Sequence, residues 1–362
     1  MAKKIYVAAT SQHIGKTTST LGLVHALIHK GHNVGYCKPV GQEFVDLGDL
    51  HVDKDALLFS NFMKFNLDAN VHSPVILGKG ATAAYLDNPN DFNYPQRIDQ
   101  ATEILEQHHD IIVYEGTGHP GVGSVVKLSN ATVAKRLGAD VILVVEGGIG
   151  NTIDRINLSL SLFREQNVPI LGIIVNKVLV RNIDKIRRYI KGYLDQQGLK
   201  LLGVIPYDES LAYPLMSTVR KAIRGKTLLN RHKLITNKVE KTIDSALVDM
   251  ENLKSTNLLL VISSRRLDKA LEQVKIYTKN KNLSTSPLAG IVITASHPIS
   301  ESSKQYINEH EIPVVYTTLD TFGAVVKISK IEVKINLKTP GKVQRAVQLI
   351  GDHVDMDTIL SF

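Results

Sequence analysis

Six short apolar runs recur through the first 210 residues, and each is followed by a turn and a helical stretch. They occupy residues 5–9, 33–37, 111–114, 141–145, 170–175 and 201–205. Several are apolar throughout instead of alternating, as strands buried on both faces of a parallel sheet must be. Helical stretches separate them at 16–30, 95–108, 131–137, 152–165 and 183–196. Strand and helix alternating at this spacing predict an α/β, doubly wound domain whose ligand sits at the carboxyl ends of the strands. A shorter pattern follows, with runs at 258–262, 290–294 and 314–317 and helices near 267–277, 301–309 and 321–329. We expect a second, smaller α/β domain there, with residues 1–225 forming the first and 226–362 the second.

The chain has 362 residues, 43% of them hydrophobic, which suits two domains with real cores. No stretch approaches the roughly 20 unbroken apolar residues of a membrane span. Residues 1–7 run directly into a strand and do not read as a signal peptide, so a cytoplasmic location is expected. The single cysteine, Cys37, excludes an internal disulfide framework and a multi-cysteine metal site. The net charge of +8 arises after residue 210, most densely at 220–241. No aromatic residues interleave those charges as stacking platforms, so the stretch reads as a solvated linker and not a nucleic-acid surface.

After the first strand the chain reads Thr10-Ser11-Gln12-His13-Ile14-Gly15-Lys16-Thr17-Thr18, and a helix follows. A tight loop and a helix start point backbone N–H groups at a phosphate. Gly15 permits close approach, Lys16 reaches the β- and γ-phosphates, and the Thr17 hydroxyl suits Mg²⁺. This is the core of a P-loop, with Thr10 where the usual pattern opens with glycine. Its expected ligands are ATP and Mg²⁺.

Lys38 ends the second strand before Pro39, either meeting a phosphate or carboxylate or standing solvated. Asp53 and Asp55 mark a helix start, as capping acids or as a metal ligand, with Asp55 the candidate. Glu115 leaves the third strand where a Walker-B-type carboxylate holds Mg²⁺, and glycines follow it. His13 and His119 are open as proton carriers or solvated loop residues. Asn176 and Pro206, after the fifth and sixth runs, suit an adenine edge and face. Leu179 stands where a guanine-specific aspartate belongs.

In this order, residues 9–17, Lys38-Pro39-Val40, Asp55, Glu115-Gly116, Asn176 and Ile205-Pro206 resemble dethiobiotin synthetase, over residues 1 to about 225. The resemblance implies a homodimeric P-loop enzyme that uses Mg-ATP to activate a carbamate. It implies Lys16 and Thr17 on the phosphates and metal, and Lys38 near the activated carboxylate. Asp55 and Glu115 would lie around Mg²⁺, and Asn176 and Pro206 at the adenine. The chain departs from that family at Ser11-Gln12-His13 and in the loop 116–121. Residues 203–212, 289–295 and 318–322 resemble a DRTGG-type domain, with Thr294-Ala295-Ser296 where Thr-Gly-Gly is expected. Two functions follow: an ATP-dependent, ligase-like enzyme phosphorylating a small carboxylate or carbamate, or a nucleotide-sensing regulator acting through its C-terminal domain.

Overall fold

A computed structural model describes residues 2–47, 50–244, 256–294, 298–331, 335–337 and 339–361. The chain divides into two units, Met1–Asp208 with Ile335–Phe362, and Glu209–Lys334. The strands of the first are β1 (Lys3–Ala9), β2 (Val34–Cys37), β3 (Ile111–Glu115), β4 (Asp140–Glu146), β5 (Ile170–Val178) and β6 (Leu201–Pro206). They form one parallel sheet in the order β6-β5-β4-β1-β3-β2. Val141, Ile142, Leu143, Val144 and Val145 are fully buried, which explains why the run cannot alternate.

Helices α1 (Lys16–His29), α2 (Lys54–Met63), α3 (Tyr94–His108), α4 (Asn130–Leu137), α5 (Gly150–Glu165) and α6 (Ile183–Gln196) connect the strands. From β1 the chain builds β2 and β3 on one side and β4 on the other. That reversal opens a crevice at the carboxyl end of β1, as in other doubly wound sheets. An antiparallel hairpin, Phe44–Leu47 with Leu50–Asp53, stands between β2 and α2 and has no counterpart in the expected pattern.

The second unit holds β7 (Lys226–Leu229), β8 (Lys241–Ile243), β9 (Leu258–Ile262), β10 (Leu288–Ile293) and β11 (Val314–Tyr316). Their order is β7-β11-β10-β9-β8, parallel except for β7. Helices α7 (Ser264–Asn280), α8 (Glu301–Glu309) and α9 (Thr321–Ser329) cover it. Of the DRTGG-like stretch, Ala295 and Ser296 lie outside the described residues.

The divide differs from the one expected at residue 225. The second unit begins at Glu209, and the last residues return to the first unit as α10 (Pro340–His353) and α11 (Met356–Leu360). The physical cause is an amphipathic helix with a partner face prepared for it. Ile350 packs so closely on Gly22 of α1 that a Cβ at Gly22 would lie 2.2 Å from the Ile350 Cβ. Beyond it, Asp355 N–H donates to the Leu202 carbonyl at 2.8 Å, closing the edge strand β6. Among the described residues no helix is long and apolar enough to cross a membrane.

Candidate functional site

The loop 10–15 leaves β1 in the crevice and turns at Gly15 into α1. Gly15 has φ +97°, and a Cβ there would lie 2.2 Å from Asn176 Nδ2, so glycine is required twice over. No side chain caps α1, and no acid stands in its first turn. The helix therefore directs its first N–H groups and positive dipole end into the crevice. Two consecutive residues of β5 hold the loop from behind. Asn176 Nδ2 donates to the Ile14 carbonyl at 2.7 Å, and Lys177 Nζ donates to the His13 carbonyl at 2.6 Å. His13 and Lys177 both adopt left-handed backbone conformations, at φ 60° and 57°. Thr10 N–H donates to the Val144 carbonyl at 3.0 Å, while its buried hydroxyl has no partner. Ser11 and Thr18 are half-buried, Gln12 and His13 are exposed, and Ile14 is buried.

The expected polar residues converge beside this loop. Thr17 Oγ1 donates to Glu115 Oε1 at 2.8 Å, and Lys16 Nζ donates to the Gly118 carbonyl at 3.0 Å. Lys38 Nζ bonds Asp55 Oδ2 and lies 3.6 Å from Glu115 Oε1 and 4.0 Å from Asp53 Oδ1. Tyr36, stacked on Phe59 of α2, donates its hydroxyl to Glu115 Oε2 at 3.4 Å. Glu115 is fully buried, and Lys38 and Asp53 are nearly so. Asp53 also caps α2 by accepting from Asp55 N–H at 2.9 Å.

Burial pushes the Glu115 carboxyl up to about 7 against the opposing pull of Lys38, with Asp55 adding to the rise. Burial and the Lys38 charge bring Lys16 down to about 8, despite Glu115 and Asp55. Burial also raises Asp53, to about 6. Burial works against the Lys38 charge too, but Asp55, Glu115 and Asp53 together outweigh it and hold that ammonium above its ordinary range. The Cys37 thiol is pushed up by burial, as fits a core residue. His119 accepts from Gly121 N–H at 3.2 Å and is exposed.

Sequence reasoning missed Asn130. Its Oδ1 accepts from Tyr6 OH at 2.7 Å and Thr117 N–H at 2.9 Å, and its Nδ2 donates to the Thr117 and His119 carbonyls at 2.8 and 2.7 Å. It is the first residue of α4, and the cap is Ser129, accepting from Thr132 N–H. Asn176 and Pro206 stand on the adjacent strands β5 and β6, and Pro206 is paired with Val178.

Among the described residues no three His, Cys, Asp or Glu side chains form a metal-holding group. The donors nonetheless suit Mg²⁺, which keeps several waters and takes one or two carboxylates alongside phosphate oxygens. A hydroxyl hydrogen-bonded to a buried carboxylate, with Asp55 joined to it through Lys38, is such a set.

A family model described as an AAA domain (AAA_26) matches residues 3–214. A phosphate acetyltransferase from Nitrosomonas europaea is 24% identical over 98% of this chain and 51% of its own length. A probable cobyric acid synthase from Methanocaldococcus jannaschii is 28% identical over 59% of this chain and 47% of its own. The chain thus spans about half the length of these two curated relatives. The ATP-dependent dethiobiotin synthetase of Caldicellulosiruptor saccharolyticus is 32% identical over 48% of this chain and 73% of its own length. With that model covering more than half of the residues and the synthetase matched over most of its length, this chain belongs to the AAA_26 family, as a P-loop ATPase of the dethiobiotin-synthetase type.

Proposed function

We propose that the first unit binds ATP with Mg²⁺ and phosphorylates a carboxylate or carbamate of a small molecule. One observation carries the reading: Lys38, buried among Asp53, Asp55 and Glu115, lies one hydrogen-bonded step from the phosphate-loop residue Thr17. A lysine is costly to bury at the mouth of a sheet, and the carboxylates that offset its cost are those a metal-bound triphosphate uses.

The N–H groups at the start of α1 and the Lys16 ammonium hold the β- and γ-phosphates. Thr17, Glu115 and Asp55 would hold Mg²⁺, which would supply charge neutralisation at the phosphates. Lys38 fixes the acceptor's carboxylate or carbamate in line with the phosphate. Asn176 and Pro206 take the adenine. Asn176 Nδ2 retains one N–H beyond its bond to Ile14, and Oδ1, which accepts from Lys177 N–H at 2.8 Å, retains one lone pair, which suffices for a paired contact with a base edge. Catalysis is then mostly positioning and electrostatics, as phosphoryl transfer requires. The chain is expected to work as a homodimer, by its likeness to the synthetases.

Calorimetry with saturating Mg-ATP, followed by phosphate-release assays with pools of small carboxylates and amines plus bicarbonate, tests the reading. Strong stimulation by one small molecule supports it. No heat of binding overturns it, and turnover that responds only to a protein partner makes the chain a nucleotide-sensing regulator instead.

A further inference from the structure

The loop after β3 carries the Gly118 carbonyl that receives Lys16, and Pro120 is the one residue in it whose ring restricts the backbone. Gly116, Gly118 and Gly121 lie within six residues, and Gly118 adopts φ +62°. Its shape comes from behind. The Asn130 side chain holds the N–H and C=O of Thr117 and the C=O of His119, the residues on either side of Gly118. Its backbone N–H adds a bond to the Pro120 carbonyl at 2.9 Å. Asn130 is itself oriented by the hydroxyl of Tyr6, a buried residue in the middle of β1. Gly116 is bare because a Cβ there would meet Asn130 Oδ1 at 2.4 Å. A buried amide with four side-chain hydrogen bonds, three of them to one loop, has a single orientation to offer.

We infer that Asn130 is a positioning residue: it sets the loop 116–120, and through the Gly118 carbonyl it sets where the Lys16 ammonium stands relative to Glu115 and Thr17. The inference rests on the nucleotide reading above for its catalytic consequence, but its geometric part does not. Asn130→Asp keeps the shape and both acceptor contacts while turning the donor that faces two carbonyls into another acceptor. Asn130→Ala removes all four bonds, and Tyr6→Phe removes only the orienting one.

The test compares these variants of the full chain with Thr102→Ala, a buried hydroxyl on α3 outside the site. Backbone amide exchange at Thr117, the unfolding midpoint, the Kd for Mg-ADP and the rate of phosphate release are measured. In Asn130→Ala and Asn130→Asp the Thr117 amide exchanges at least about tenfold faster while Val113 and Tyr114 of β3 stay protected. Phosphate release falls about 100-fold while the Kd for Mg-ADP changes less than about threefold. Tyr6→Phe gives a smaller loss of the same kind. The inference is overturned if exchange at Thr117 and turnover match the natural chain. It is also overturned if protection is lost throughout β3 and turnover falls only in step with the unfolding midpoint, as in Thr102→Ala. If the natural chain neither binds Mg-ADP nor releases phosphate, the nucleotide reading fails, and exchange at Thr117 still decides whether Asn130 sets the loop.

Discussion

Both units present parallel strands whose carboxyl ends lead into helices, yet they equip those ends differently. In the first, the ends of β1, β2 and β3 and the start of α2 gather Lys16, Lys38, Asp53, Asp55 and Glu115. In the second, the buried polar side chains among the described residues are the hydroxyls of Ser264, Ser303 and Thr317. Thr317 Oγ1 donates to the Ile223 carbonyl at 2.9 Å, and the Thr294 and Thr321 hydroxyls share a bond of 3.0 Å. A bonded hydroxyl contributes about 1 kcal/mol, whereas a buried charge costs several kcal/mol unless its partners are complete. The architecture alone therefore requires no charge at a strand end, and the cluster in the first unit is the feature on which the proposed function rests.

Deleting one charge from the cluster breaks the contrast most severely. Lys38→Met leaves three carboxylates facing one another, and the urea unfolding midpoint should report a loss of about 3–5 kcal/mol. Adding Glu115→Gln should recover part of it. A loss under about 1 kcal/mol would make the cluster a solvated surface.

Next comes Lys16→Ala. Phosphate release should fall about 100- to 1000-fold, with the unfolding midpoint almost unchanged, because the lysine's contact is with a loop carbonyl. A comparable loss of stability would place the lysine with the fold and not with the chemistry.

The third expectation concerns pH. An acid with a raised folded-state pKa binds its proton more tightly in the folded chain. Its contribution is complete below the ordinary glutamate value of 4.5 and is lost as pH rises through about 7. Asp53 acts in the same sense up to about 6. Stability of the natural chain should drop by on the order of 1–3 kcal/mol across this range. Glu115→Gln should flatten the drop, and an equal slope in that variant would remove Glu115 as its source.

The smallest effect sharpens the other side. Thr317→Val in the second unit should cost about 1 kcal/mol and leave phosphate release unchanged. A fall in turnover would mean that the hydroxyl-lined sheet also takes part in the reaction.

Much of this was legible residue by residue. The runs at 141–145 and 170–175 became β4 and β5, each extended by one to three residues, because burial on both faces is written as an unbroken apolar string. Gly15-Lys16-Thr17 between strand and helix announced the P-loop family to which the chain belongs. Lys38, Asp55 and Glu115 were expected separately from their places at strand and helix ends. Their mutual contacts join positions up to 77 residues apart, a distance no local pattern spans.

Periodicity, turn chemistry and the phosphate-loop signature act over a few neighbouring residues, so the order of amino acids settles them before anything folds. The orientation of Asn130, the ion cluster around Lys38 and the return of α10 onto Gly22 belong to another kind of information. Each depends on which hydrogen-bond valences and apolar faces remain open once distant strands are side by side. An asparagine in the first turn of a helix has no assigned partner until Tyr6, Thr117 and His119 surround it, and an amphipathic C-terminal helix has no address until a glycine on α1 provides one. Free energy there lies in pairs of surfaces, and pairs exist only in the folded chain.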